Sequence, residues 1–230
     1  MDFNFLAGAA TIIALLLPVL LIVVGRLMQN GSLFALFIYY LFTALYNLMV
    51  LDLFQVSLQV KRQAAIIFNY LDTPLMLIVL LFFCNEKWKK QLVLTTLAFF
   101  LLFELFIGFQ YGMDIKSSVY LLGPGTLIIL CFSTYFFVHY GKVTIVQGKN
   151  TGKTFMLVAI LFAYGSFLLV YYLNYLLRTD AGADMFLMYY IGVFISAVIM
   201  SIGLVSIIKR NPEVQELQTM RRELAMFFNK

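Results

Sequence analysis

The 230-residue chain is 63% hydrophobic and only 12% charged, with a net charge of +5 and a mean hydropathy of +0.95. A soluble domain has about half its residues apolar and about a quarter charged, so this composition excludes an ordinary soluble fold. The sixteen Lys and Arg residues never form a dense basic run, so no nucleic-acid surface is expected.

The apolar residues fall into seven blocks, at 5–25, 32–51, 63–84, 91–112, 119–139, 154–177 and 186–208. Each is about 20 residues long, and about 20 residues at 1.5 Å per residue cross a ~30 Å hydrocarbon core. The expected fold is therefore all-α: an integral membrane bundle of seven transmembrane helices over 1–210, followed by a tail over 211–230. The first block lacks a positively charged leader, with Asp2 in its place, and is expected to stay as the first helix.

Orientation follows from the basic residues. With the N-terminus outside, twelve of them fall on the inner side: Arg26, Lys87, Lys89, Lys90, Lys142, Lys149, Lys153, Lys209, Arg210, Arg221, Arg222 and Lys230. Four fall on the outer side: Lys61, Arg62, Lys116 and Arg178. The expected arrangement has the N-terminus outside, the C-terminus cytoplasmic, and the chain in the cell inner membrane with the lipid bilayer as its first partner.

In chain order, the second helix carries Tyr46 and Asn47 in its outer half, and the third carries Asn69 and Asp72. Asp72 is ten residues from Arg62 and fourteen from Glu86, so it is an isolated acid near mid-membrane. Pro74 frees a backbone carbonyl one turn back and predicts a kink beside it. The fourth helix carries Glu104 at similar depth. The fifth contains Gly123, Pro124 and Gly125, a second predicted kink. Cys84 and Cys131 are expected to pack, and His139 has no partner residues at metal-ligand spacing, so no metal site is expected. The long inner loop, 141–153, ends in "GKNTGK", and with Thr154 it reads "GKNTGKT". A phosphate-binding loop needs four residues between its glycines, and Gly148 to Gly152 leaves three. The sixth helix carries Tyr171, Asn174 and Tyr175 on one face, and the seventh carries Tyr189 and Tyr190.

The tail opens with Asn211 and Pro212, a sound helix start. Val214, Leu217, Leu224 and Phe228 recur at helical spacing, with Arg221 and Arg222 beside them. This predicts a short amphipathic helix on the cytoplasmic face. Arg221, Arg222, Leu224 and Phe228 would contact the membrane surface or a partner protein.

A charged carboxylate at mid-membrane costs about 2.5–3.5 kcal/mol even on lenient insertion scales, so it faces the bundle interior, takes partners or stays protonated. The predicted site is a polar cavity in the outer half of the bundle. Asp72, Asn69, Glu104, Asn47, Tyr46, Tyr171, Asn174 and Tyr175 are its candidate ligand-binding residues. The alternative for either acid is a hydrogen bond that ties two helices together.

Three segments resemble the microbial rhodopsins. "DTPLML" (Asp72 to Leu77) is similar to that family's helix-three "TTPLLL". "AYGSF" (Ala163 to Phe167) is similar to its helix-six "AYP" region. "ISAVIMSIGL" (Ile195 to Leu204) is similar to its helix-seven "SAK…GL" segment. The resemblance implies a seven-helix bundle with an outside N-terminus. It does not carry the activity. The family's retinal-binding lysine falls at Val198, its counter-ion acid at Phe68, its arginine at Ala65, its proton donor at Val79 and its pocket tryptophan at Leu161. No covalent retinal is expected. No cofactor is implied by the residues, and a lipid or carotenoid held without a covalent bond stays open.

These expectations converge on a non-enzymatic protein that binds or senses a small ligand. The alternatives are a proton-coupled small-molecule transporter using Asp72 and Glu104, a membrane subunit of a larger complex, and an intramembrane lipid enzyme using the same two acids.

Overall fold

The computed structural model describes residues 3–173 and 182–228, with side chains for 4–115, 117–173 and 187–210. The described chain is helical and contains no strand. Seven helices are long and apolar enough to cross a membrane, so the chain is a multi-pass membrane protein. They are α1 (Phe3–Val24), α2 (Gly31–Val50), α3 (Leu58–Leu80), α4 (Lys87–Tyr111), α5 (Ile115–Gln147), α6 (Thr151–Tyr171) and α7 (Gly182–Phe228).

Three helices run past the apolar blocks that predict them, for local reasons. α3 starts at Leu58, five residues before its block. The Ser57 side chain accepts from Val60 N–H and supplies the cap. Lys61 and Arg62, now inside the helix, pair with Asp52 and Asp114. α5 begins on a reciprocal capping box between Asp114 and Ser117. It continues to Gln147, so most of the predicted inner loop is helix. Gly148 at φ 64° then ends it, with its N–H bonded to the Thr144 carbonyl. α7 continues through Asn211 and Pro212 to Phe228. The separate tail helix expected at 211 is instead the C-terminal part of α7. A proline removes one backbone donor without obliging a helix to end, and here the backbone stays helical on both sides. Arg221, Arg222, Leu224 and Phe228 lie in that part, outside the described side chains.

Helices consecutive in the chain alternate in direction, and six of them close a ring in the order α1–α2–α3–α5–α6–α7, with α7 back against α1. α4 packs outside the ring against α3 and α5. It is the least buried of the seven spans, and Phe99, Leu102, Phe106 and Phe109 lie exposed along it. A row of exposed apolar side chains on a membrane helix is its lipid-facing surface.

Glycines set the closest approaches within the ring. A Cβ on Gly152 of α6 would lie 2.8 Å from the Gly203 backbone oxygen of α7, and one on Gly203 would lie 2.9 Å from the Gly152 oxygen. Small residues at such a crossing let two backbones meet, which is how membrane helices gain packing without a hydrophobic driving force. Gly125 does the same for α5 and α3: its Cβ would fall 2.1 Å from Thr73 Oγ1. Gly123, Pro124 and Gly125, where a kink is predicted, lie inside a continuous α5, and Gly125 is a packing seat there. The core below it, toward the end where α3 terminates, is a fully buried apolar layer that includes Leu77, Leu80, Phe83, Phe136, Met156 and Leu204.

Candidate functional site

Asp72 is the fifteenth residue of the 23-residue α3, and its side chain is 7% exposed. Its direction is set by the packing of α3 between α2 and α5, which turns this face into the ring. Tyr164, on α6, donates its hydroxyl to Asp72 Oδ1 at 3.0 Å. The Tyr39 hydroxyl, on α2, interacts with both Asp72 and Tyr164. The acid is therefore held by a hydroxyl donor from α6, with a second hydroxyl from α2 nearby.

A narrow cavity of about 60 Å³ lies beside this cluster. Every ring helix contributes to its wall: Leu15 from α1, Tyr39, Tyr40 and Thr43 from α2, Asn69 and Asp72 from α3, Leu122 from α5, Tyr164 from α6, and Tyr189 and Ser196 from α7. α4 contributes nothing to it. Six aromatic side chains share the wall with aliphatic ones such as Ile160 and Val193, and among the described residues no Lys, Arg or His lines it. One water needs about 10–15 Å³ by this measure, so the space suits a few waters or a group of two to four heavy atoms. A site for a drug-sized molecule has about 300–1,000 Å³.

Of the residues expected at the site, Asp72 and Asn69 line the cavity. Asn69 also donates to Ser118 Oγ at 3.2 Å, which ties α3 to α5. Asn47 is buried just behind the wall, donates to the Thr43 carbonyl at 2.8 Å and interacts with the Tyr189 hydroxyl. Tyr46 does not line the cavity; its ring stacks on Phe68 with centroids 5.7 Å apart. Tyr171 is also off the wall and donates to the Val119 carbonyl at 3.3 Å. Asn174 and Tyr175 lie outside the described residues.

Glu104 does not join Asp72. It is equally buried, at 7% exposure, but it sits on α4, outside the ring, and its Oε1 is buried without a hydrogen-bond partner among the described residues. Equal depth along two helices does not bring side chains together when one helix is peripheral.

Sequence reasoning missed Tyr39, Tyr40, Thr43, Tyr164 and Ser196. The search favoured the outer halves of the helices, whereas the cavity lies at mid-depth. Tyr40 interacts with Ser196, and Ser196 donates to the Ala159 carbonyl at 2.9 Å, so this part of the wall also links α2, α7 and α6. A comparison with models of protein families, with curated proteins and with solved structures found no match.

A second polar cluster lies beyond the apolar layer. Lys153, near the start of α6, donates to the Phe82 carbonyl at 3.2 Å, Asn85 Oδ1 at 3.4 Å and the Tyr140 hydroxyl at 3.3 Å. Tyr140 donates in turn to the Phe83 carbonyl at 2.8 Å. The cluster satisfies carbonyls at the end of α3 and pins α3, α5 and α6 together.

Proposed function

We propose that this membrane protein binds and senses a small ligand in the cavity beside Asp72. The observation that carries the reading is a buried carboxylate on the wall of a cavity, held by the Tyr164 hydroxyl and facing no cationic side chain among the described residues. A carboxylate placed at this depth only to tie two helices would not need an adjoining space walled by six helices.

The apolar layer of Leu77, Leu80, Phe136, Met156 and Leu204 favours binding over transport, because it offers a solute or proton no polar path toward the α3 C-terminal side. The separation of Glu104 from Asp72 weakens both readings that used the two acids as a pair, the proton-coupled carrier and the lipid enzyme. The small volume favours a ligand of a few heavy atoms over a carotenoid.

The distribution of Lys and Arg supports an outside N-terminus and a cytoplasmic C-terminus, in the cell inner membrane. In that orientation the C-terminal part of α7, with Arg221, Arg222, Leu224 and Phe228, meets the inner lipid surface or a partner protein and passes on the state of the cavity. The likeness to microbial rhodopsins fits this reading as a proposed kinship, with Asp72 near the depth of the chromophore.

Native mass spectrometry of the wild type and Asp72→Asn, each released gently from its own membrane, tests the proposal. A bound small mass in the wild type that is lost in the variant is the expected result. A bare protein in both, with the variant less stable, would make Asp72 a structural tie.

A further inference from the structure

We infer that the ligand is a small ammonium-type cation, with Asp72 as its counter-ion; this rests on the cavity reading above and narrows it to one chemical class. Three observations converge.

The first is charge. Among the described residues, Asp72 is the one acid on the cavity wall, and no Lys, Arg or His lines it. Its carboxylate accepts from the neutral Tyr164 hydroxyl, and the neutral Tyr39 hydroxyl lies near it. A carboxylate in a membrane interior must be neutralised by a proton or by a cation, and this one adjoins a space where a cation fits.

The second is the wall. The rings of Tyr39, Tyr40, Phe68, Tyr164, Phe167 and Tyr189 surround the space. Aromatic faces attract ammonium groups through their quadrupoles, most strongly where water is excluded. An anion would meet the Asp72 carboxylate, which repels it, in a largely apolar and aromatic wall.

The third is the donor set. Among the described residues there is no group of three or more His, Cys, Asp or Glu side chains placed to hold a metal ion. One carboxylate with hydroxyls gives a metal ion few charged oxygens. It gives an ammonium group the acceptors it needs, since an ammonium carries three N–H donors in a compact head. At about 60 Å³ the space admits the head of a primary amine, not a large quaternary group.

The test uses thermal unfolding of the purified full chain in detergent, with methylammonium chloride as the probe. Methanol serves as its neutral counterpart, sodium formate as an anion of similar size, and sodium chloride as the ionic-strength control. A ligand that binds only the folded state raises the midpoint with concentration. At tenfold excess over Kd the rise is on the order of 3 °C for a chain of this size. The expected result is a rise with methylammonium, none with methanol, formate or sodium chloride, and no methylammonium effect in Asp72→Asn. The three-probe comparison in the wild type stands alone should that variant fail to fold. Stabilisation by methanol equal to that by methylammonium, or stabilisation by formate, would overturn the cation assignment while leaving a polar cavity. No effect of methylammonium in the wild type would overturn it as well. The bound mass in the native spectrum then separates the two readings: a neutral compound lost in Asp72→Asn keeps the site and removes the cation.

Discussion

α3 and α4 are consecutive helices with one buried acid each, and they belong to different regions of the molecule. α3 is a member of the closed ring. Its Asp72 meets Tyr164 across the interior and borders a cavity walled by six helices. α4 lies outside the ring with a lipid-facing surface, and its Glu104 is buried with Oε1 unpaired among the described residues. The two acids are alike in burial and in distance from the membrane boundary, so neither quantity identifies a site. What separates them is whether a donor from another helix and an adjoining space meet the carboxylate. An unpaired buried polar atom costs about 1–3 kcal/mol, so Glu104 reads as a local cost and Asp72 as a supported group.

The ring itself is the first half of that contrast to break. Gly152→Val places side-chain atoms where the Gly203 backbone stands. Overpacking of this kind costs about 1–3 kcal/mol and occasionally more; backbone cannot rotate aside, so the upper end, about 3 kcal/mol, is expected. Leu102→Ala, on the exposed face of α4, should stay within about 0.5 kcal/mol. Chemical unfolding in detergent measures both. Equal losses would mean that α4 is as integral to the fold as α6 and α7.

Tyr164→Phe tests the supported acid. It leaves Asp72 Oδ1 without its donor, an expected cost of about 1–3 kcal/mol, together with weaker retention of the bound mass. Tyr171→Phe removes a hydroxyl that donates to the Val119 carbonyl off the cavity wall, so it should lower stability by about 1 kcal/mol and leave ligand retention unchanged. Loss of retention in both would relocate the site toward the α5–α6 end.

The number of helices was legible in the sequence because length and apolarity are properties of a contiguous segment. Their ends were less so. Ser57, the Asp114–Ser117 box and Gly148 are local signals of the kind a sequence displays, yet hydropathy weighs them as ordinary polar residues. Asp72 was legible as an isolated acid inside an apolar run, as was Glu104. The partner of Asp72 was not: Tyr164 is 92 residues away. In a helix that is apolar on every side no polar stripe marks the inward face, because lipid and protein interior ask for the same side chains. One signal was available. Tyr39 lies eight residues from the start of α2, and Asp72 lies eight from the end of α3. In antiparallel neighbours this is the same depth, about 12 Å from one face. The preference for polar residues of the outer halves selected Tyr46, Asn47 and Tyr171 instead, which stand beside or behind the cavity wall.

Glu104→Leu sharpens the other half of the contrast, with a smaller effect of opposite sign. Replacing an unpaired buried polar group by an apolar one of similar size removes a desolvation cost, so stability should rise by about 1 kcal/mol with ligand retention intact. Asp72→Leu should abolish retention. A loss of retention in Glu104→Leu would show that the peripheral acid communicates with the cavity after all.

The smallest effect belongs to a third acid, at the corner where α3 hands over to α4. Glu86 lies outside both spans. Lys89 Nζ donates to its Oε1 at 2.7 Å, and the Trp88 indole N–H donates to Oε2. These bonds, Lys89's foremost, hold the Glu86 carboxyl below the usual glutamate range. A folded-state value below the unfolded one adds stability above the unfolded value, near 4.3, and that stability is lost as the pH falls through the lower folded value. The group is exposed, so water screens the interaction and the change in stability is slight. Trp88 is the only tryptophan in the chain, which makes its emission a direct reporter of the bond. Acid titration should give a fluorescence step with a midpoint below about 4.3. Glu86→Gln should remove the step, and Asp72→Asn should leave it in place, because the ring interior and this corner are separated by the apolar layer. A step that moved with Asp72→Asn would mean that the cavity and the start of α4 are coupled, and the division between ring and peripheral helix would then be one of packing alone.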